Sequence, residues 1–218
     1  MNRRPARGQS LASTFLAVEG VLYAAFLILD LTGRGEQTTS IKYAGVLLCL
    51  AFALAGGDRL VSLALALTAG ADWFLLVRGS HYAVGIALFL CVQAVYYLRL
   101  RRAGAGNGWL FRSGLALALG AGVCALDMAA PLNLLAALNF SQLASNALLA
   151  WTLNGARQRA FALGLTLFVG CDVCVGLFNV LPPGSPPYLA ASVGMWLSYL
   201  PSQVLIALSA LPGKEDAK

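Results

Sequence analysis

Charge is what this sequence most lacks. Of its 218 residues only 11% are Asp, Glu, Lys or Arg, against about 25% in soluble globular domains. That deficit excludes a water-soluble enzyme, a nucleic-acid binder and a disordered chain. Histidine is nearly missing too. His81 is the single example, and with no carboxylate or second histidine beside it in sequence it reads as a solvated loop residue. One histidine and scattered carboxylates do not make a metal-ligand set, so no metal or cofactor is expected. The five cysteines, Cys49, Cys91, Cys124, Cys171 and Cys174, all lie inside apolar runs, where none is placed for an extracellular disulfide framework. Cys171 and Cys174 have C-x-x-C spacing but no other soft ligand, and are read as small apolar fillers. The alternating ten-residue segments of a transmembrane barrel are absent as well.

Continuous apolar stretches fill the chain instead. Hydrophobic residues make up 59% of it, and its mean hydropathy is +0.76. At about 20 apolar residues per helix, this length leaves room for at most about eight or nine spans and no soluble domain beside them. The sequence predicts an all-α polytopic membrane protein with eight spans: 11–32, 40–56, 59–77, 82–100, 113–130, 131–153, 160–180 and 189–211. The break between the fifth and sixth rests on Ala129-Ala130-Pro131. A basic segment, 1–10, precedes this transmembrane domain of 11–211, and a tail, 212–218, follows it. The first run is too long for a signal-peptide core and contains Glu19, so it is read as a retained span.

Charge placement orients the spans. With eight of them, one side holds Arg3, Arg4, Arg7, Arg59, Arg99, Arg101, Arg102, Arg112, Arg157, Arg159, Lys214 and Lys218, and the other holds Arg34, Lys42 and Arg78. Twelve against three is a strong positive-inside bias. It puts both termini in the cytoplasm of a cell-membrane protein. The net charge of +6 therefore marks loops rather than a nucleic-acid partner.

The two halves resemble each other. Gly70-Ala71-Asp72 in span three matches Gly170-Cys171-Asp172 in span seven. Val84-Gly85 with Gln93 in span four matches Val193-Gly194 with Gln203 in span eight. Leu29-Asp30-Leu31 and Leu126-Asp127-Met128 close spans one and five. A four-plus-four parallel repeat is the expectation, since a shift of four spans preserves orientation.

A carboxylate in hydrocarbon is costly and points to function. Asp72 and Asp172 lie about 20 and 18 Å from the cytoplasmic starts of their spans, so both reach one level. Gln93 and Gln203 lie about 17 and 21 Å from the outer ends of theirs. Tyr96 is three residues from Gln93 and Tyr199 is four from Gln203, so each pair shares a helix face. Asn139, Gln142 and Asn146 form a polar stripe on span six, serving either the site or interhelical hydrogen bonding. Glu19, about 12 Å into span one, is a further interior candidate. Asp30 and Asp127 sit at span ends and read as interface residues. Two carboxylates in one low-dielectric cavity do not both ionise, which leaves a proton donor beside a charged partner. That suits a reaction through an oxocarbenium-like cation, and equally a proton-coupled transporter.

These residues also resemble a known family. Lys42 opening span two, Gly70-Ala71-Asp72-Trp73-Phe74-Leu75-Leu76, Tyr82 to Phe89 with Gln93 and Tyr96, Gly170-Cys171-Asp172, and Tyr199 with Gln203 together look like the YhhN/TMEM86 family. The resemblance runs over almost the whole chain. It implies an eight-span membrane protein and, for some members, a lysoplasmalogenase, which splits the vinyl ether bond of lysoplasmalogens into a fatty aldehyde and a glycerophospho-ethanolamine or -choline. Carried over, Asp72 and Asp172 match the aspartates of the family's Gly-Asp and Ser-Asp motifs, Lys42 the lysine of Lys-Pro, Tyr96 the tyrosine of His-x-x-Tyr, and Tyr199 and Gln203 the last span's Tyr-x-x-x-Gln. This sequence departs at Tyr43 after Lys42, at Ala71, at Cys171, and above all at Gln93, which stands at the histidine position. Glutamine hydrogen-bonds but does not shuttle a proton. The resemblance makes Asp72 and Asp172 the catalytic pair, Gln93, Gln203, Tyr96 and Tyr199 the groups that orient water and a lysolipid substrate, and Lys42 the holder of the lipid phosphate. The rival readings are a transporter for a small solute or lipid, and a degenerate member that binds lipid without turnover.

Overall fold

The computed structural model describes residues 4–32 and 38–211, with side chains from Ser10 onward. Arg3, Arg4, Arg7, Arg34, Lys214 and Lys218 of the charge count, and the tail 212–218, fall outside the described side chains. Eight helices carry the described residues: α1 (Arg4–Leu31), α2 (Thr39–Gly56), α3 (Arg59–Asp72), α4 (Tyr82–Arg102), α5 (Trp109–Ala125), α6 (Pro131–Ala150), α7 (Ala156–Val180) and α8 (Pro186–Leu208). No strand occurs among them.

Local chemistry sets the ends. The Asp58 carboxylate accepts from the Leu60 and Val61 amides at 3.1 and 3.2 Å and starts α3, satisfying donors that have no intrahelical partner. Pro131 opens α6 and Pro186 opens α8, each where a missing N–H costs nothing. Gly57 follows α2 at φ 86°, a left-handed cap that glycine takes without strain. α5 ends at Ala125, five residues short of the expected limit. Asp127 there takes φ 56°, and Pro131 disfavours helix at the residue before it, so residues 126–130 form a turn between the two helices. Directly after Asp72, α3 widens into a π-helical turn, Trp73–Val77.

Six helices, α2, α3, α4, α6, α7 and α8, pack side by side in that order, and α8 closes back onto α2. α1 lies against α2 and α8 outside this ring, and α5 lies outside it against α6. The outside of the bundle is apolar, and polar groups lie inside it among an apolar core. Glu19, Lys42, Asp72, Gln93, Arg112, Asn139, Asn146 and Gln203 are buried, while Val21, Leu110, Leu117 and Leu126 are each about 70% exposed. An apolar exterior with polar groups kept inside fits a hydrocarbon solvent, in which polar groups must satisfy one another. Six helical stretches, including α3 continued to Val77, are long and apolar enough to cross a membrane. α5 has 17 residues. α6 has 20 but carries Asn133, Asn139, Gln142 and Asn146, which lower its hydropathy.

Candidate functional site

Asp72 lies where α3 passes from α- to π-helical winding, a kind of irregularity that often marks functional positions. It is 5% exposed, and its Oδ2 accepts a 2.6 Å hydrogen bond from the Tyr199 hydroxyl of α8. The Tyr199 ring is held edge-on between Phe168 and Trp196, with centroids 5.6 and 5.8 Å away. One turn before Asp72, the Ala69 carbonyl accepts from the Tyr43 hydroxyl of α2 at 3.3 Å. Asp172 on α7 is half-buried and accepts one long hydrogen bond, 3.3 Å, from Asn139 Nδ2 of α6. Asp172 is the next residue after Cys171, and the Cys171 thiol lies within electrostatic reach of Asp72 as well. Among the described residues no Lys or Arg pairs with either.

Lys42 does not snorkel outward. It is 6% exposed, and its Nζ lies 2.7 Å from Asp30 Oδ2, 4.2 Å from the Trp196 ring centre and 5.5 Å from that of Phe26. Asp30 Oδ1 accepts from the Thr38 hydroxyl at 2.8 Å. Asp30 is thus the lysine's counter-ion rather than a bare interface residue. Through Trp196, the pair adjoins the tyrosine that holds Asp72.

The amides form a second polar layer. On α4, Leu88 lies opposite Gly70, and Gln93 is five residues further on, about 8 Å along the helix. Asn146 Nδ2 donates to Gln93 O and Gln93 Oε1, both at 3.0 Å. Arg112 of α5 donates from Nη1 to Gln142 Oε1 at 2.8 Å and from Nη2 to Asn146 Oδ1, with its guanidinium 4.1 Å from the Tyr97 ring centre. Arginine only donates. It therefore polarises the chain: Asn146 must turn its carbonyl to Arg112 and its amide to Gln93, leaving Gln93 Nε2 as an unspent buried donor. Gln203 Nε2 donates to Ser202 Oγ at 3.1 Å, leaving its Oε1 as an unspent acceptor. The fully buried Tyr96 stacks edge-on against Phe161, and its hydroxyl faces Thr68 without a regular hydrogen bond. Glu19 is buried against α2, where Cys49 Sγ donates to its Oε1 at 3.4 Å, while its Oε2 has no partner.

The expected site residues therefore fall in two groups. Asp72 and Tyr199 meet beside Trp196, whose ring also faces Lys42, while Asn139 pairs with Asp172 next to Cys171 in the chain. Gln93, Gln142 and Asn146 gather around Arg112. Tyr96 and Gln203 are buried in the bundle with their own neighbours. Sequence reasoning missed Arg112, which counted only as a loop charge, and Trp196, which sits three residues before Tyr199 and so on its face.

The fold and the buried polar groups define an all-helical, multi-pass membrane protein. Within that class the chain belongs to the YhhN family, whose sequence model matches residues 37–210. No curated protein and no solved structure matches the chain.

Proposed function

We propose that this protein is a lysoplasmalogenase-like hydrolase that cleaves a vinyl ether bond by carboxylate acid–base chemistry. The observation that carries the reading is the pair Asp72 and Asp172, buried or half-buried around Cys171 with no cationic partner among the described residues. Membership of the YhhN family agrees with it. Vinyl ether hydrolysis needs a proton on the β-carbon, an anion facing the resulting oxocarbenium ion, and a positioned water. Asp72, holding the 2.6 Å tyrosine hydrogen bond as acceptor, takes the anion's role. Asp172, with only the long bond from Asn139, delivers the proton. Water then adds to the cationic carbon and loses a proton to a carboxylate. The hemiacetal collapses to aldehyde and the glycerophospholipid alcohol.

The same reading gives eight spans with both termini in the cytoplasm, inserted in the cell membrane. A four-plus-four parallel repeat is supported by the helix neighbours: α3 on α4 answers α7 on α8, and α4 on α6 answers α8 on α2. Gly70 opposite Leu88 and Gly170 opposite Ser198 mark matching levels, each with a glutamine five residues on. One observation favours a second reading, lipid binding without turnover: Gln93 stands where the family resemblance expects histidine, and its carbonyl is taken by Asn146. The test is aldehyde release from a defined lysoplasmalogen by purified protein. Release by the wild type and none by Asp72→Asn supports hydrolysis. No release from well-folded wild type sinks it in favour of binding or transport.

A further inference from the structure

A cavity of about 530 Å³ opens at the end of the bundle opposite Lys42. Its wall is held in place by a network. Asp58, capping α3, accepts from Arg99 Nε at 3.0 Å and lies 3.6 Å from Arg157 Nη2. Arg99 Nη2 and Arg157 Nε both donate to the Ser209 carbonyl beyond α8, at 3.0 and 3.2 Å. The Arg99 guanidinium also lies 4.2 Å from the Phe161 ring centre. Two guanidiniums are thereby fixed across the ends of α3, α4, α7 and α8. Arg59 and Arg102, both exposed, complete the lining. Among the described residues, four guanidiniums line the cavity, and Asp58 is the carboxylate beside them.

Arg59 and Arg102 take no part in that network and leave their donors at the cavity rim. Fork-shaped donors around a concavity match the oxygens of a phosphate group. Basic pockets between membrane helices, at the level of the head groups, bind anionic lipids for the same reason. We propose that this cavity is a phosphomonoester site, filled by the head group of a phosphatidate-type lipid or by free phosphate. It is separate from the aspartate site, because Asp58 and Asp72 are 14 residues apart along α3, about 21 Å. It goes beyond the hydrolase reading, and its test measures binding alone.

Thermal unfolding of the full-length protein, in phosphate-free detergent buffer, is titrated with dioctanoyl phosphatidic acid, with inorganic phosphate, and with dioctanoyl phosphatidylcholine. A ligand that binds only the folded state raises the melting temperature with concentration. The expected result is saturable stabilisation by phosphatidate or phosphate and none by phosphatidylcholine. Arg59→Gln/Arg102→Gln weakens the apparent affinity by about tenfold or more, the worth of a charge-assisted hydrogen bond. A response to phosphatidate alone assigns the lipid, and an equal response to both assigns free phosphate. No stabilisation by either, an equal response to phosphatidylcholine, or unchanged affinity in the double variant overturns the proposal. Both arginines are exposed and lie outside the Asp58 network, so the variant keeps the wild-type melting temperature without ligand. If that temperature falls, Arg102→Gln alone makes the same comparison.

Discussion

Asp72 and Asp172 each follow a glycine by two residues on matching helices, yet their surroundings differ. Asp72 is enclosed and takes a 2.6 Å hydrogen bond from Tyr199, four residues before Gln203 on α8. Four residues before Gln93 on α4 stands Phe89, which stacks edge-on against Phe168, 5.5 Å between ring centres, and has no hydroxyl to give. Asp172 is left half-buried, with one long bond from an amide. Two similar sequence patterns thus hold two unlike carboxylates. The aromatic position four residues before each glutamine differs, tyrosine on α8 and phenylalanine on α4. Such unlike environments are what separate an acid from its anionic partner in a carboxylate pair.

The largest expected effect breaks the pair outright. Asp72→Asn and Asp172→Asn should each lower aldehyde release by about 100-fold or more, the usual worth of a positioned acid or base. Both variants should remain folded, because asparagine keeps the shape and most hydrogen bonds. Full activity in both removes the pair from the chemistry. Loss in one alone means that the two halves have parted in function as well as in surroundings.

A smaller effect sharpens the asymmetry. Tyr199→Phe removes the donor to Asp72, and a hydrogen bond to a charged group is worth about 1.5–3 kcal/mol. Aldehyde release should fall by at least about tenfold, with the ring stacking against Phe168 and Trp196 retained. Phe89→Tyr, its counterpart, adds a hydroxyl on the side of Phe168 and should change the rate by less than about threefold, since the wild-type site works without it. Equal losses from the two substitutions would show that ring packing, rather than the hydroxyl, distinguishes the aspartates.

The sequence made the helices legible and left partners hidden. Apolar run length located all eight helices, and helical rise gave Asp72 and Asp172 an expected depth. Boundaries drifted where turn chemistry outweighed hydropathy. α5 runs from Trp109 to Ala125 rather than over 113–130, and α7 starts at Ala156, so Arg157 belongs to a first helical turn instead of a loop. Partners need the azimuth of each helix, which no periodicity supplies when interiors mix Ala, Leu and Gly. Nothing in sequence therefore joined Lys42 to Asp30, Tyr199 to Asp72, or Arg112 to Asn146. The π-turn after Asp72 left no signal either, being a product of packing: a Cβ on Gly85 would come within 2.6 Å of the Leu75 side chain in that turn.

The smallest effect compares the two hairpins that carry the aspartates. In α7–α8, a Cβ on Gly164 would lie 2.8 Å from Ile206 Cγ1, 3.0 Å from the Ser202 carbonyl oxygen and 3.2 Å from the Ile206 amide nitrogen. Backbone cannot move aside without shifting α8, and with it Tyr199. In α3–α4, the three atoms nearest a Cβ on Gly85 all belong to the Leu75 side chain, at 2.5, 2.6 and 3.1 Å. Leu75 is partly exposed on the π-turn and can change rotamer. Gly164→Ala should therefore lower stability by about 1–3 kcal/mol, the usual cost of overpacking. Gly85→Ala should be near neutral, since repacking Leu75 is offset by the roughly 1 kcal/mol that alanine gains over glycine inside a helix. Thermal unfolding of the two variants in one detergent measures the difference. Because Gly164 sits against the segment of α8 that follows Tyr199, its variant should also slow aldehyde release, while Gly85→Ala should not. The reverse order would mean that the α3–α4 hairpin, with its π-turn, is the rigid half of the site and that α8 yields to fit it.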